Sequence, residues 1–332
     1  MKKCTLSIVA LLAALGSAQA ATTIKIATVA PDGTAWMREM RASAENVKKR
    51  TEERVAIKFY PGGVMGDEPT VLRKIKIGQL QGGAFTGGEL SQVEKDAQIY
   101  SVPFLFKTPD EVDKVRAQID PLLKQTLAKA GFETLGITGG GFAYLMSVKN
   151  IHTRDDLKAA KVWVPQGDRI AEIGFKAGGV TPISLPLADV YTSLQTGLID
   201  TAANTPAGAI AFQWHTKIKH MIDLPLTYVV GILVVDKKVF DALSLADRKA
   251  VDEELGAAFA RLEKINRDDN AQARDALQKQ GIEILKPNAQ ETATWEAVGA
   301  EARKQLTAAG ELSPEMTAAL DKAVAAARGA AK

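Results

Sequence analysis

Apolar and polar residues in the first part of the chain follow the periods of strands and helices. They alternate over residues 24–28 and 55–59, which predicts two short strands, and 81–86 is predicted as a third. Between these strands, apolar residues recur every three or four positions over 36–47, and a second helix is predicted over 70–77. This β-α-β-α-β order favours a parallel sheet covered by helices.

The same succession of elements returns in the second half of the chain. Strands are predicted over residues 161–164, 180–184 and 198–203, with helices over 168–177 and 188–197 between them. Two α/β units agree with the roughly two domains that a chain of 332 residues allows.

Two further segments differ from this alternation. Residues 229–235 are apolar apart from one glycine, as expected of a strand buried on both faces. Residues 244–280 contain no proline and one glycine, which predicts a single long helix. At 1.5 Å per residue this helix would be roughly 55 Å long, enough to brace two lobes.

The first twenty residues have the composition of an export signal. Two lysines precede a ten-residue apolar run over 6–15, about half the length that a membrane-spanning helix needs. Ala-Gln-Ala at 18–20 matches the small-x-small cleavage pattern, so we expect a signal peptide that is removed before Ala21. No second apolar run reaches 18 residues, which predicts a periplasmic protein that does not itself span the membrane.

Composition excludes several classes of function. Removing residues 1–20 lowers the formal net charge from +3 to +1 and removes Cys4, the single cysteine. The rest of the chain then carries no thiol or disulfide, and its small charge gives no footprint for nucleic acid. Three histidines and the lack of nucleophile, zinc or nucleotide motifs predict no enzymatic activity, no metal site and no cofactor.

Several segments, in a fixed order, resemble one family of proteins. The most specific is PLADVYTSLQTGLIDTAANTP over 186–206, and others are IKIATVAPDGTAW over 24–36, FYPGGVMGDEPTVL over 59–72 and DLKAAKVWVP over 156–165. Together they resemble the solute-binding proteins of tripartite ATP-independent periplasmic (TRAP) transporters, of the dicarboxylate-binding type. The likeness covers nearly the whole chain after the export signal.

The resemblance implies a receptor that closes around a small organic molecule and delivers it to a membrane permease with a small and a large subunit. The implied fold is α/β and two-lobed, each lobe a mainly parallel sheet flanked by helices, with the long helix across both. We expect lobe I over 21–146 and 232–272, and lobe II over 147–231 and 273–332. The receptor is expected to be a monomer.

One position departs from the pattern of the family. Most members anchor a ligand carboxylate with an arginine on a strand of lobe II that reads like K-x-R-V-P, whereas KVWVP over 161–165 places Trp163 there. A second arginine, common in a G-x-R-like context before lobe II, is missing from GFAY over 141–144. Arginine offers a carboxylate a bidentate fork, but tryptophan offers one N–H donor and a large apolar face. The change favours a bulky, largely apolar or aromatic ligand, organic acids included.

The candidate ligand-binding residues are aromatic side chains with a few polar groups. Asn204 matches the signature asparagine of the family, and Glu68 lies in a turn that faces the cleft in family members. The full set expected at the ligand is Trp163, Asn204, Trp214, Tyr144, Glu68, Phe142, Gln166, Phe85, Gln213 and Phe212.

Two alternatives to this function stay open. The first is a receptor for a small carboxylate, held without the usual arginine by Lys161, Arg169 or backbone amides. The second is a periplasmic binder of hydrophobic compounds that works without a permease. For each aromatic candidate, packing in the core competes with contact to a ligand.

Overall fold

The computed structural model describes residues 21–329, so the predicted signal peptide lies outside the described residues. Strands and helices alternate along most of the chain. The strands are β1 (Thr22–Thr28), β2 (Val55–Tyr60), β3 (Gly82–Thr86), β4 (Phe132–Ser147), β5 (Trp163–Pro165), β6 (Ile183–Leu185), β7 (Thr201–Asn204), β8 (His220–Ile222), β9 (Thr227–Asp236) and β10 (Glu283–Leu285). The helices are α1 (Ala35–Arg50), α2 (Glu68–Lys76), α3 (Gly87–Leu90), α4 (Pro109–Lys129), α5 (Arg154–Lys158), α6 (Arg169–Ala177), α7 (Val190–Thr196), α8 (Pro206–Ala211), α9 (Lys237–Asp241), α10 (Leu245–Lys279), α11 (Ala289–Ala309) and α12 (Pro314–Gly329).

An eight-stranded sheet runs through the molecule in the order β10-β8-β4-β9-β3-β1-β2, and β7 also pairs with β4. β1 pairs in parallel with β2 and β3, as the first β-α-β-α-β segment predicts. β4 joins the two lobes, because its residues 132–143 pair with β9 and its last four residues pair with β7. We call the side with β1, β2 and β3 lobe I and the side with β5 to β8 and β10 lobe II.

The predicted α/β fold of two lobes is confirmed, and the sheet is more mixed than "mainly parallel". Each pair that β4 or β9 makes is antiparallel, while the pairs β1–β2, β1–β3, β8–β10 and β5–β6 are parallel. β9 follows the elements of lobe II in the chain and returns along β4 in the opposite direction, so the two long strands form an antiparallel pair at the centre of the sheet.

Polar caps fix where the helices begin. Asp67 accepts a hydrogen bond from Thr70 N and starts α2, whose second residue is Pro69, as the acidic turn before that helix suggests. Asp168 accepts from Ala171 N and starts α6. Because α6 follows directly on β5, this cap holds Asp168 at the end of a strand of lobe II.

The long helix α10 braces both lobes, as predicted. It has 35 residues and begins at the capping side chain of Ser244. Val251, Leu255 and Phe259 lie in the core under β1 and β9 of lobe I. Farther along, Asn270 Oδ1 accepts a hydrogen bond from Ala207 N at 3.1 Å, and Arg274 forms an ion pair with Asp223 at 2.8 Å, both in lobe II. Over residues 21–329 no helix is both long and apolar enough to cross a membrane.

The last helix lies with lobe I. Leu320 and Val324 of α12 share a core with Val112 and Ile119 of α4, and Arg328 donates a hydrogen bond to Glu111 at 2.9 Å. The predicted boundaries instead assign residues 273–332 to lobe II. The other numerical boundaries of the lobes remain a prediction.

Candidate functional site

A cavity of about 350 Å³ lies between the two lobes. From lobe I it is lined by the ends of β1 and β3 and by the start of α3, and from lobe II by β5, α6 and β7. The middle parts of β4 and β9 also line it. Crevices at strand ends and between domains are where ligands of α/β proteins usually bind. We therefore take this cavity as the candidate site.

The walls of the cavity are largely apolar and aromatic. Lobe II contributes Phe175 from α6, while Trp36 comes from the first turn of α1 in lobe I. The aromatic side chains that line the cavity are Trp36, Phe85, Phe104, Trp163, Phe175, Phe212 and Trp295. Seven rings around a cavity of this size suit a ligand with apolar faces.

Trp163 forms part of the wall in lobe II. It is almost fully buried, at 4% exposure, and its indole Nε1 donates to the carbonyl oxygen of Leu185 at 2.9 Å. The single polar group of the side chain is thus satisfied within the protein. What Trp163 presents to the cavity is carbon surface.

Three more predicted residues line the same cavity, namely Phe85, Asn204 and Phe212. Asn204 ends β7, and its Oδ1 accepts a hydrogen bond from Thr205 N at 2.8 Å. The carboxamide oxygen therefore shapes the start of α8, where the Thr205 hydroxyl accepts from Gly208 N. With Trp163, four of the ten predicted residues thus line this cavity.

Trp214 lies behind the wall, which differs from the prediction. It is fully buried and packs edge-on against Trp163, with ring centroids 5.4 Å apart and planes at 83°. An edge-to-face pair of this kind stabilises the position of both rings. Trp214 supports Trp163 and does not line the cavity.

Phe142 and Tyr144 also lie off the cavity, because a strand points alternate side chains to opposite faces. Ala143 and Leu145 are the residues of this part of β4 that line it. Phe142 packs edge-on against Tyr228 at 5.2 Å, and the ring of Tyr144 lies 5.7 Å from the Arg274 guanidinium of α10.

The polar candidates also differ from the prediction. Gln166 and Gln213 are exposed and do not line the cavity. Glu68 is 6% exposed and lines an annex of about 10 Å³, room for about one water, beneath the cavity. The annex and the cavity share walls formed by Thr28, Val29, Ala84 and Phe85.

The two cations considered as substitutes for the missing arginine lie outside the cavity. Lys161 is exposed, and its Nζ donates to Gly197 O at 2.8 Å. Arg169 forms exposed ion pairs with Glu172 at 2.7 Å and Glu311 at 3.3 Å. Among the residues from 21 to 329 that line the cavity there is no lysine, arginine or histidine.

Two carboxyl groups in the cavity wall were missed by sequence reasoning. Glu89 is 3% exposed, and burial next to Glu68 raises its pKa well above the ordinary value. Asp168 is 8% exposed, and burial raises its pKa to about 6. Glu89 belongs to lobe I and Asp168 to lobe II.

The sequence does carry weak signals for these two residues. Asp168 precedes a predicted helix, so it is expected as a cap whatever else it does. Glu89 follows Gly87 and Gly88 directly after a strand, a place where the backbone comes close to other groups. A Cβ on Gly88 would lie 2.5 Å from Asp168 Oδ2, so the two lobes touch at this glycine.

These carboxyl groups do not form a metal centre. No group of three His, Cys, Asp or Glu side chains within 21–329 is arranged to hold a metal ion. Three or more such ligands are the usual minimum for a protein site.

Comparisons with known proteins agree with the fold and the cavity. The sequence model described as "Bacterial extracellular solute-binding protein, family 7" matches residues 26–309. A solute-binding protein of Chromohalobacter salexigens is 28% identical over 251 residues, covering 74% of this chain and 70% of that protein. The C4-dicarboxylate-binding periplasmic protein DctP of Rhodobacter capsulatus is 24% identical over 257 residues, covering 76% of this chain and 77% of that protein.

A solved structure has the same fold. It is a TRAP periplasmic solute-binding protein from Desulfovibrio salexigens with bound orotic acid. It superposes with a TM-score of 0.84 at 19% identity, covering 92% of this chain and 99% of that chain.

Proposed function

The chain belongs to family 7 of the bacterial extracellular solute-binding proteins, and we propose that this TRAP-type periplasmic receptor binds a bulky, largely apolar or aromatic organic molecule between its lobes. The observation that carries the proposal is the wall of the cavity, in which seven rings stand and no basic side chain is found among the described residues. Delivery to a membrane permease, and export by a cleaved signal peptide, complete the proposed role.

The aromatic wall supplies the binding energy that such a ligand needs. Each Å² of apolar surface removed from water contributes about 25 cal/mol. A ligand that buries about 200 Å² of carbon surface thus gains about 5 kcal/mol before the cost of its lost freedom is subtracted. The gain is largest for flat rings, which fit between aromatic side chains.

The alternative, a small carboxylate, is favoured by what two similar proteins are named for. One is called C4-dicarboxylate-binding, and another contains orotic acid. In this chain a buried carboxylate would meet aromatic rings and two carboxyl groups, with no lysine, arginine or histidine in the described wall. An ion buried without a partner costs several kcal/mol, which disfavours this alternative.

Closure of the lobes gives the receptor its mechanism. Trp163 and Phe175 belong to lobe II, while Phe85 and Trp36 belong to lobe I, so a ligand contacts both lobes only when they are together. A ligand shifts the equilibrium toward the closed form by the difference in its affinity for the two forms. The closed, liganded receptor is then the form that the permease has to recognise.

The proposal is tested by substituting Trp163, with Trp214 as the matched control. Both tryptophans belong to one buried pair, but only Trp163 lines the cavity. We expect Trp163→Ala to lower the affinity for a bound aromatic compound by tenfold or more, and Trp214→Phe to change it less than threefold. Isothermal titration calorimetry with a panel of aromatic compounds and with succinate-sized acids measures these affinities. Equal affinity in wild type and Trp163→Ala, or binding of the succinate-sized acids alone, would overturn the proposal.

A further inference from the structure

Two carboxyl groups are the ionisable side chains in the described wall of the cavity. They are Glu89 and Asp168, and the rest of the wall carries apolar, hydroxyl and amide groups. One carboxyl group stands on each lobe, since Glu89 lies in α3 and Asp168 caps α6. The two lobes meet next to them, because Asp168 contacts the backbone at Gly88.

Neither carboxyl group has a basic partner in the protein. Glu89 Oε2 accepts from Thr86 N at 2.7 Å, and its neighbour on the other side is the acid Glu68. Asp168 Oδ1 accepts from Ala171 N at 2.9 Å, and the charge of the acid Glu172 adds to the effect of burial in raising the pKa of Asp168. Burial without a cation raises the pKa of both side chains.

Glu68 adds a third acid behind Glu89. It is 94% buried, being 6% exposed, and its Oε1 has no hydrogen-bond partner. It lines the annex that shares four wall residues with the cavity. An unpaired buried acceptor is costly, and two acids side by side cannot both ionise readily. This end of the cavity therefore carries acids and no basic side chain among the described residues.

We propose that the ligand carries a positively charged nitrogen, for which Glu89 and Asp168 provide counter-ions from opposite lobes. This inference rests on the proposed function, since it names the polar group of the same apolar or aromatic ligand. The nitrogen supplies both the charge and the N–H donors that the carboxyl groups lack. A cation held between the lobes contacts both acids only in the closed form, so it drives closure directly.

The surroundings favour an organic cation over a metal ion. The described residues hold no cluster of three metal-ligating side chains. The aromatic wall is unsuited to a strongly hydrated ion but suits an ammonium group attached to an apolar body, since ring faces attract cations. Trp163 and Phe175 line the cavity together with Asp168.

A panel of matched compounds tests the inference. 2-Phenylethylamine, 2-phenylethanol and 3-phenylpropanoate share one aromatic body and differ in charge, and a two-ring set built on naphthalene extends the range of size. Succinate represents the small carboxylates. Each is titrated calorimetrically into wild type, Glu89→Gln, Asp168→Asn and the surface control Glu45→Gln, whose position in α1 is exposed.

We expect the amines to bind at least tenfold more tightly than the matched alcohols and acids. Glu89→Gln and Asp168→Asn should each lower amine affinity at least tenfold and alcohol affinity less than threefold, while Glu45→Gln changes neither. Both substitutions keep the capping acceptor, so the fold is retained. Aromatic acids or alcohols binding best would overturn this inference and leave the proposed function standing. Succinate binding best, or no binding by any compound, would overturn both.

Discussion

Two regions of the molecule hold carboxyl groups away from full contact with water, and they differ in whether a basic side chain lies beside these groups. Where α4 and α10 meet β4, Glu263 and Asp120 share the guanidinium of Arg116, at 2.7 and 3.0 Å. In the cavity, Glu89 and Asp168 have backbone amides and acidic neighbours, and no basic group. Glu263 and Asp120 keep 28% and 21% of their side chains exposed, against residue exposures of 3% and 8% for Glu89 and Asp168, so the more deeply buried acids are the ones without a basic partner.

The paired region holds the crossing between the lobes. Glu263 Oε2 also accepts from Gly139 N at 3.0 Å, and Asn266 donates to Gly139 O at 2.9 Å. Asn270 donates to Gly140 O at 2.7 Å, so α10 fixes the glycine bulge of β4. Carboxyl groups that find a cation and backbone donors within the protein stabilise its shape.

In the unpaired region, we propose that the ligand supplies the missing partner. Buried polar groups of a native protein usually find partners, and exceptions ask for an explanation. Perturbed acids in a cleft are typical of functional sites. The paired acids therefore belong to a structural network, whereas the unpaired acids are the ones proposed to contact the ligand.

The largest effect is expected from breaking the paired region. Arg116→Met removes the guanidinium that Asp120 and Glu263 share and leaves Glu263 only the more distant Arg267 at 3.8 Å, which should lower the free energy of unfolding by about 3 kcal/mol. Arg267→Ala, which removes a 2.6 Å exposed pair with Asp113 and a longer 3.8 Å pair with Glu263, should cost less than about 1 kcal/mol. Urea unfolding of both variants measures the difference. Equal losses would mean that burial of the pair does not matter.

A substitution that removes a charge from the unpaired region should raise the free energy of unfolding. Asp168→Asn removes a charge without a partner and keeps the helix cap, so the ligand-free protein should gain about 1 to 3 kcal/mol at pH 7.5. The pKa of Asp168 is raised from 3.8 to about 6. Ionisation therefore lowers wild-type stability as pH rises from about 4 to above 6, and the two proteins should converge at pH 4. Unfolding midpoints across this range check it, and a variant less stable than wild type at pH 7.5 would refute the comparison.

A smaller effect is expected where the lobes touch. The Cβ of Gly88→Ala would lie 2.5 Å from Asp168 Oδ2, so either the carboxyl group moves or the lobes separate. We expect ligand affinity to fall about tenfold (1.4 kcal/mol) with little change in stability. Titration with the best amine of the panel measures it. Unchanged affinity would show that closure does not depend on this contact.

The smallest effect concerns Arg169, one of the two cations considered as substitutes for the family arginine. Arg169→Ala removes exposed ion pairs with Glu172 and Glu311, and it should change stability by less than about 1 kcal/mol. Ligand affinity should stay within twofold of wild type, because Arg169 does not line the cavity. A loss of affinity for a carboxylate would instead support the small-carboxylate alternative.

Much of the fold was predictable because it follows from local patterns. The period of apolar residues located β1, α1 and β2, the lack of proline over 244–280 indicated the 35-residue α10, and the resemblance supplied two lobes. The direction of β4 and β9 was not predictable, since periodicity does not say which strands become neighbours.

Part of the site was predictable, because the position of one residue on a strand determines which way its side chain points. Trp163 lines the cavity because the motif fixed its register on β5. Phe142 and Tyr144 were placed on the wrong face, because one residue of register moves a side chain across a sheet. Glu89 and Asp168 were missed because their proposed role depends on the lack of a basic side chain beside them. The side chains around them come from segments that are distant in sequence.

The central claim is tested most directly by identifying what the receptor binds by itself. The mature protein is incubated with a bacterial metabolite extract and purified by gel filtration, and native mass spectrometry then measures the bound mass. We expect a bound compound with an aromatic or bulky apolar body and a basic nitrogen, which the Trp163→Ala variant does not retain. A bound aliphatic dicarboxylate or sugar acid would contradict it.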